Sequence, residues 1–153
     1  MNALWKAVWR NLFARHPGAA PAARRDLALL HRDCGSCNGC EIELRLAFSA
    51  AHDSAPRGLS LTASPQQADA LLVTGPVTHN TQARLGATWD AMPDPKFVVA
   101  VGDCAIDGGV FRGSYAVAGG AGSTLPVDFA IRGCPPTARQ ILDALGGDAA
   151  PTA

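Results

Sequence analysis

Cysteine is the residue type whose number and spacing in this chain point most directly to chemistry. Three of the five cysteines follow a C-x2-C-x2-C pattern, and two stand alone later in the sequence: Cys34, Cys37, Cys40, Cys104 and Cys134. We find no secretory leader pattern and expect a cytoplasmic chain with reduced thiols. An odd number of cysteines also argues against a disulfide framework. The spacing leaves three alternatives: an iron–sulfur cluster, a zinc ion, and core or redox-active thiols.

The alternatives differ in how well they fit the spacing. Zinc commonly uses two C-x2-C pairs, whereas Cys104 and Cys134 are isolated. A catalytic thiol needs a histidine partner, and the sequence shows no such pairing, although His31 is close to Cys34. An iron–sulfur cluster needs four thiolates, and a final Cys-Pro pair is typical of its ligation, as in Cys134-Pro135. The spacing therefore favours the cluster, with the other two alternatives left open.

Apolar runs that alternate with helical segments must position these cysteines. Strands are predicted over 27–31, 59–63, 68–77, 96–104 and 127–136, helices over 40–50, 80–92 and 137–147, and a glycine-rich loop over 108–122. Continuous apolar strands separated by helices predict an α/β fold, with a parallel sheet covered on both faces. Thr137 and Gly146 are the expected caps of the last helix.

The predicted sheet brings distant cysteines to one place. The carboxyl ends of parallel strands share the edge at which ligands bind in doubly wound folds. Cys104 and Cys134 each follow a predicted strand, and the first cysteine group follows the run 27–31. Glycines lie within two residues of a cysteine at Gly35, Gly39, Gly102 and Gly133. They allow tight turns whose N–H groups point at a cluster, or they simply end strands.

The N-terminal segment forms a separate unit in this prediction. An apolar stripe at helical spacing predicts an amphipathic helix over 1–15: Trp5, Val8, Trp9, Leu12 and Phe13. A Pro/Ala-rich linker follows, so docking to a membrane surface or a partner is favoured over packing on its own domain. We predict an N-terminal helix and linker over 1–25, one α/β domain over 26–148, and a tail over 149–153.

Composition and charge exclude several classes of protein. The chain has 153 residues, of which 48% are apolar and 17% charged, so it is neither a disordered acidic chain nor a basic one. Residues 1–33 carry six basic and two acidic groups, whereas residues 34–153 carry seven and eleven. This acidic body disfavours nucleic-acid binding. No run is apolar enough to predict a transmembrane helix.

Three segments together resemble a known family: CGSCNGCEIEL, GDCAIDGGVF and IRGCPPT. They are similar to the single-cluster small subunit of membrane-bound, energy-converting [NiFe] hydrogenases of the formate-hydrogenlyase type. They are equally similar to the homologous iron–sulfur subunit, the B subunit, of NADH–quinone oxidoreductase (respiratory complex I). The resemblance covers roughly residues 30–145. It implies a flavodoxin-like domain with one [4Fe–4S] cluster, whose ligands would be Cys37, Cys40, Cys104 and Cys134, with Cys34 as an extra thiol.

The resemblance also implies a role and a setting. The chain would be an electron-transfer subunit of an oxidoreductase complex, with no catalytic site of its own. Its partners would be a subunit like the hydrogenase large subunit or its complex I counterpart at the quinone pocket, a ferredoxin-like iron–sulfur subunit and integral membrane subunits. We expect it on the cytoplasmic side of the inner membrane. Complex I subunits carry two adjacent cysteines where this chain has residues 37–40, and that departure favours the hydrogenase side. The alternative is a non-redox zinc-binding or assembly protein that uses the same cysteines.

Glu43 is a candidate proton-coupled group. It follows Cys40 by three residues on a predicted helix, so the two share a face, whereas Glu41 should point about 100° away. A carboxylate beside a cluster that gains negative charge on reduction would take up a proton with the electron. The competing interpretation is a solvated carboxylate, or one paired with Arg45 or held at a subunit interface.

Overall fold

A parallel five-stranded sheet forms the centre of the protein. The computed structural model describes residues 26–50 and 58–146. The sheet strands are β1 (Leu27–Asp33), β2 (Leu59–Leu61), β3 (Ala70–Thr74), β5 (Phe97–Val101) and β7 (Phe129–Ile131). Their order is β2-β1-β3-β5-β7, and all neighbours pair in parallel. This is the strand order of flavodoxin-like folds, so the predicted fold class is confirmed.

Within the described ranges, four helices accompany the sheet, and a small second sheet lies beside it. The helices are α1 (Gly39–Ala47), α2 (His79–Asp90), α3 (Asp103–Asp107) and α4 (Ala138–Gly146). The short strands β4 (Val77–Thr78) and β6 (Val117–Gly119) pair antiparallel. Thr137 and Gln140 form a reciprocal cap at the start of α4, with Thr137 N–H donating to Gln140 Oε1 at 2.8 Å.

The central strands bury both faces, because their side chains alternate between two cores. Leu29, Leu72 and Val99 share one core with Leu44 of α1 and Ile141 of α4. Leu30, Leu71 and Val98 share the other with residues of α2 and α3. Every residue of β3 and β5 is buried. This explains why both strands are continuous apolar runs, and it confirms that helices cover both faces.

Several predicted boundaries are wrong, and glycine is the main physical cause. β3 ends at Thr74 because Gly75 turns the chain with φ 74°, and β5 ends at Val101 because Gly102 has φ 87°. The short helix α3 begins where the sequence pattern predicts the end of a strand. The predicted loop 108–122 contains two 3₁₀ turns and β6. The antiparallel pairing of β6 with β4 is a tertiary contact that leaves no sequence periodicity.

Some expectations fall outside the part of the chain that the structure describes. These are the amphipathic helix over 1–15, its linker, and the tail over 149–153. Among residues 26–50 and 58–146, no helix has the length and apolar character needed to span a bilayer.

The buried centre of the sheet gives a direct test of the fold. Leu72 of β3 is fully buried in the core. Leu72→Ala should lower the free energy of unfolding by about 2–5 kcal/mol, because it leaves a cavity that cannot collapse. Urea unfolding followed by circular dichroism measures this loss. Leu61→Ala is the matched control on the edge strand, where the side chain is 48% exposed. It should change stability by about 0.5 kcal/mol or less; equal losses in the two variants would contradict the assigned register.

Candidate metal centre

Four of the five cysteines lie just beyond the carboxyl ends of β1, β5 and β7. Cys37 comes before α1 and Cys40 is in its first turn. Cys104 is in the first turn of α3, and Cys134 follows β7. Because the three strands are parallel, the loops that bear these cysteines share one edge of the sheet. This is the edge that the sequence pattern predicts.

Gly102, at the end of β5, shows how closely these loops approach. A Cβ built on this glycine would lie 2.6 Å from Cys40 Sγ and 3.4 Å from the carbonyl oxygen of Gly133. No side chain fits in that space, and the φ of 87° also favours glycine. The loop after β1 and the loop after β7 therefore meet over the end of β5.

Cys37 and the Cys134-Pro135 segment meet in the same way on the other side of the site. A Cβ on Gly39 would lie 3.6 Å from Cys37 Sγ and 3.7 Å from Pro135 Cβ, which is ordinary van der Waals contact. The Cys134–Pro135 peptide bond is cis. The segments that bear the four cysteines thus approach one another at this edge of the sheet.

Burial, and after it the charges of neighbouring groups, raises the pKa of two of the clustered cysteines. Burial, followed by the charges of Glu41, Cys104, Cys37 and Cys134, raises the pKa of Cys40 to about 12. The pKa of Cys104 is also raised, by burial first and then by Cys134. In the metal-free protein Cys40 and Cys104 hold their protons at neutral pH. A bound metal would replace those protons with positive charge.

Hydrogen bonds of the backbone and of the Asp103 side chain connect the loop after β5 to β7 and the loop that follows it. Asp103 N–H donates to the Gly133 carbonyl at 2.9 Å, and Gly133 N–H donates to Asp103 Oδ1 at 3.0 Å. Gly102 N–H donates to the Ile131 carbonyl at 2.8 Å. This reciprocal clasp fixes Cys104 next to Cys134.

Cys104 has a second close neighbour that the sequence analysis does not identify. A Cβ on Gly109, which has φ 51°, would lie 2.8 Å from Cys104 Sγ. The next N–H, that of Val110, donates to the Cys104 sulfur and works against the rise in its pKa. Hydrogen bonds to ligand sulfurs tune the potential of iron–sulfur centres. The Gly108-Gly109 pair is the available signal in the sequence, but on its own it predicts only a loop.

Cys34 stands apart from the other four. It is 1% exposed and packs in the core beside residues such as Leu30 and Val73. Burial, followed by the charge of Asp33, raises its pKa to about 11, while a hydrogen bond with Thr81 acts in the opposite direction. The structure therefore brings together the four predicted ligands and leaves Cys34 in the core.

The site opens to the surface on one side. Cys37 and Cys134 are exposed. An open cavity of about 670 Å³ lies against Cys104 and Cys134, with Arg112 and Arg132 in its wall. Arg112 pairs with Asp107. A partner could approach the thiols from this side.

The donor set fits an iron–sulfur cluster. Within the described ranges, no three His, Cys, Asp or Glu side chains are grouped tightly enough to hold a single metal ion. Four thiolates are the usual ligands of a [4Fe–4S] cluster, in which each binds a different iron. The glycines at positions 102 and 109 leave the space beside two of the sulfurs free of side chains.

Two carboxylates follow Cys40 on α1, and they differ in their surroundings. Glu43 Oε2 accepts a hydrogen bond of 2.7 Å from the N–H of Ala138, the first residue of α4. It thus ties α1 to α4, and its coupling to a redox centre stays a prediction. Glu41 is 7% exposed and accepts hydrogen bonds from Ser36 and Thr74. No sequence signal indicates its burial, because Thr74 lies 33 positions away.

The comparison with protein families gives a clear assignment. Residues 37–147 match the family described as the 20 kDa subunit of NADH–ubiquinone oxidoreductase. The chain belongs to this family. The matched segment begins at Cys37 and includes all four clustered cysteines but not Cys34.

Individual relatives come from two kinds of enzyme complex. The chain is 41% identical over 114 residues to formate hydrogenlyase subunit 7 of Escherichia coli, a match over 74% of this chain and 45% of that protein. It is 45% identical over 104 residues to the NADH-quinone oxidoreductase B subunit of Phocaeicola vulgatus, over 67% of this chain and 52% of that one. The chain therefore spans about half the length of these relatives.

A solved structure supports the same assignment. The fold matches a chain of the membrane-bound sulfane sulfur reductase, an archaeal respiratory membrane complex, with a TM-score of 0.71 and 33% identity. The match covers 82% of this chain and 70% of that chain. The predicted family, a subunit of oxidoreductase complexes, is thereby confirmed.

The close approach at Gly102 predicts a selective defect. Gly102→Ala places a methyl group against Cys40 Sγ, so the protein should take up far less iron on anaerobic reconstitution with iron and sulfide. Iron analysis per folded chain measures this. Gly86→Ala on α2 is the control, since its Cβ would meet no atom within 4 Å. Full iron uptake by Gly102→Ala would show that the observed packing does not define the site.

Proposed function

We propose that the protein is an electron-transfer subunit that carries one [4Fe–4S] cluster on Cys37, Cys40, Cys104 and Cys134. The convergence of these four cysteines, from three loops, in a chain of this family carries the proposal. We do not include Cys34 among the ligands, because it is buried in the core and its thiol forms a hydrogen bond with Thr81.

The chain's own residues have separate tasks in this function. The four thiolates would hold the cluster, which when bound supplies a group that accepts and releases one electron at a time. The Asp103–Gly133 clasp keeps two of the ligand loops together. The N–H of Val110 donates to the Cys104 sulfur. The exposure of Cys37 and Cys134 leaves a short path to a partner.

The partners follow from the relatives. We infer that a subunit like the hydrogenase large subunit, or its complex I counterpart, lies on one side of the cluster and a ferredoxin-like iron–sulfur subunit on the other. Integral membrane subunits would hold the assembly at the cytoplasmic face of the membrane, with this chain bound peripherally. The C-x-G-C spacing at residues 37–40 favours a hydrogenase-type large subunit. The catalytic reaction would take place in that partner subunit.

The ligand assignment can be tested one cysteine at a time. Serine in place of Cys37, Cys40, Cys104 or Cys134 should abolish or convert the cluster, since each thiolate binds a different iron. Cys34→Ser is the matched control and should keep full iron and sulfide content. Absorption of anaerobically purified protein at about 400 nm, where thiolate-bound clusters absorb, gives the result together with iron and sulfide analysis. A colourless wild-type protein that contains zinc would overturn the proposal in favour of a non-redox role.

Glu43 gives a second test, on proton coupling. If its carboxylate takes up a proton with the electron, the reduction potential of the cluster should fall by about 60 mV for each unit by which the pH rises. This is the value for one proton per electron. Glu43→Gln should flatten this slope. Potentiometric titration across a range of pH measures both proteins. A wild type without pH dependence, or a variant with the wild-type slope, would remove Glu43 from this role.

A further inference from the structure

A buried polar network lies directly behind the cysteine site. Its centre is Glu41, which is 7% exposed, although glutamate is almost never buried without a partner. Its Oε2 accepts a hydrogen bond of 2.5 Å from Ser36 Oγ, and its Oε1 accepts one from Thr74 Oγ1. Thr74 is the last residue of β3 and is fully buried.

The donors in this network can be assigned. Burial lowers the pKa of His31 below its usual 6.5, so its ring carries one proton at neutral pH. The Thr74 hydroxyl donates its one hydrogen bond to Glu41, so it must accept the hydrogen bond of 2.9 Å from His31 Nε2. Each carboxylate oxygen of Glu41 thus accepts a hydrogen bond from a hydroxyl group.

The network reaches the turn that bears Cys37. Ser36 Oγ accepts a hydrogen bond of 3.2 Å from the N–H of Asn38 and donates its own hydrogen bond to Glu41. Asp33 Oδ1 accepts the N–H of Ser36 at 2.8 Å. The turn is therefore tied to the sheet at two points, to β1 through Asp33 and to β3 through Glu41 and Thr74.

We propose that Glu41 is a positioning residue for the metal centre, which fixes the Cys37 turn against the end of β3 and places a carboxylate beside Cys40. The inference rests on the proposed function for its second part only. Reduction adds negative charge to a cluster, so a buried carboxylate next to a ligand should disfavour the reduced state and lower the potential.

Substitution of Glu41 tests the effect of its charge. Glu41→Gln keeps the size and removes the charge, and its NH2 group cannot accept the hydrogen bond that one carboxylate oxygen accepts. This variant should keep the cluster and shift its midpoint potential upward. Asp90→Asn removes the same charge from an exposed position on α2 and should leave the potential unchanged. Equal potentials in the wild type and Glu41→Gln would overturn the electrostatic part. If Glu41→Gln does not bind a cluster, Glu41→Asp, which keeps the carboxylate, takes its place in the test. A rise in the potential of Glu41→Asp would then overturn the electrostatic part.

Positioning has a readout that needs no cluster. In the metal-free protein, Thr74→Val removes one donor to Glu41, and hydrogen exchange of amides 36–38 should become about fivefold faster, the factor for a hydrogen bond worth about 1 kcal/mol. Exchange in α3 should not change. Thr74→Ser keeps the hydroxyl and should restore the slow rate. Wild-type exchange in Thr74→Val would overturn the positioning role. A wild type without a cluster would refute the proposed function and still leave this test decisive.

Discussion

The parallel pairing of β1, β3, β5 and β7 is the constraint on which the rest of the structure depends. It brings the loops after three strands to one edge, so cysteines as distant in sequence as Cys37 and Cys134 can surround one volume. β3 lies between β1 and β5 and contributes no cysteine. Its end instead leaves room: a Cβ on Gly75 would lie 2.4 Å from Ser36 N. The Cys37 turn can therefore pass over β3 and reach the thiols beyond it.

Burial and neighbouring charges make ionisation of the clustered thiols unfavourable. The pKa of Cys40, raised to about 12, reflects burial and repulsion from its neighbours. A thiolate forms there only when a metal displaces the proton, so assembly of the centre should be coupled to proton release. The Asp103–Gly133 clasp consists of protein hydrogen bonds only, so it holds the two loops together without a contribution from the metal.

The sequence alone is sufficient to predict the parallel sheet and the edge at which the cysteines gather. Both depend on strong signals, namely continuous apolar strands and cysteines that follow them. Other features depend on contacts between distant residues. The bond between Glu41 and Thr74, the N–H that Val110 gives to Cys104, and the pairing of β4 with β6 have no periodicity or local motif. In the sequence, only the family resemblance distinguishes Cys34 from the other four cysteines. The structure shows the physical reason, because Cys34 is buried in the core.

The central claim is that four thiolates from three loops hold a single [4Fe–4S] cluster. Native mass spectrometry of the anaerobically purified protein tests it most directly, because the mass added to the folded chain counts every bound atom. The account predicts one dominant species that carries four irons and four sulfides. A folded chain with the mass of a single zinc ion, or with no added mass after reconstitution with iron and sulfide, would contradict it.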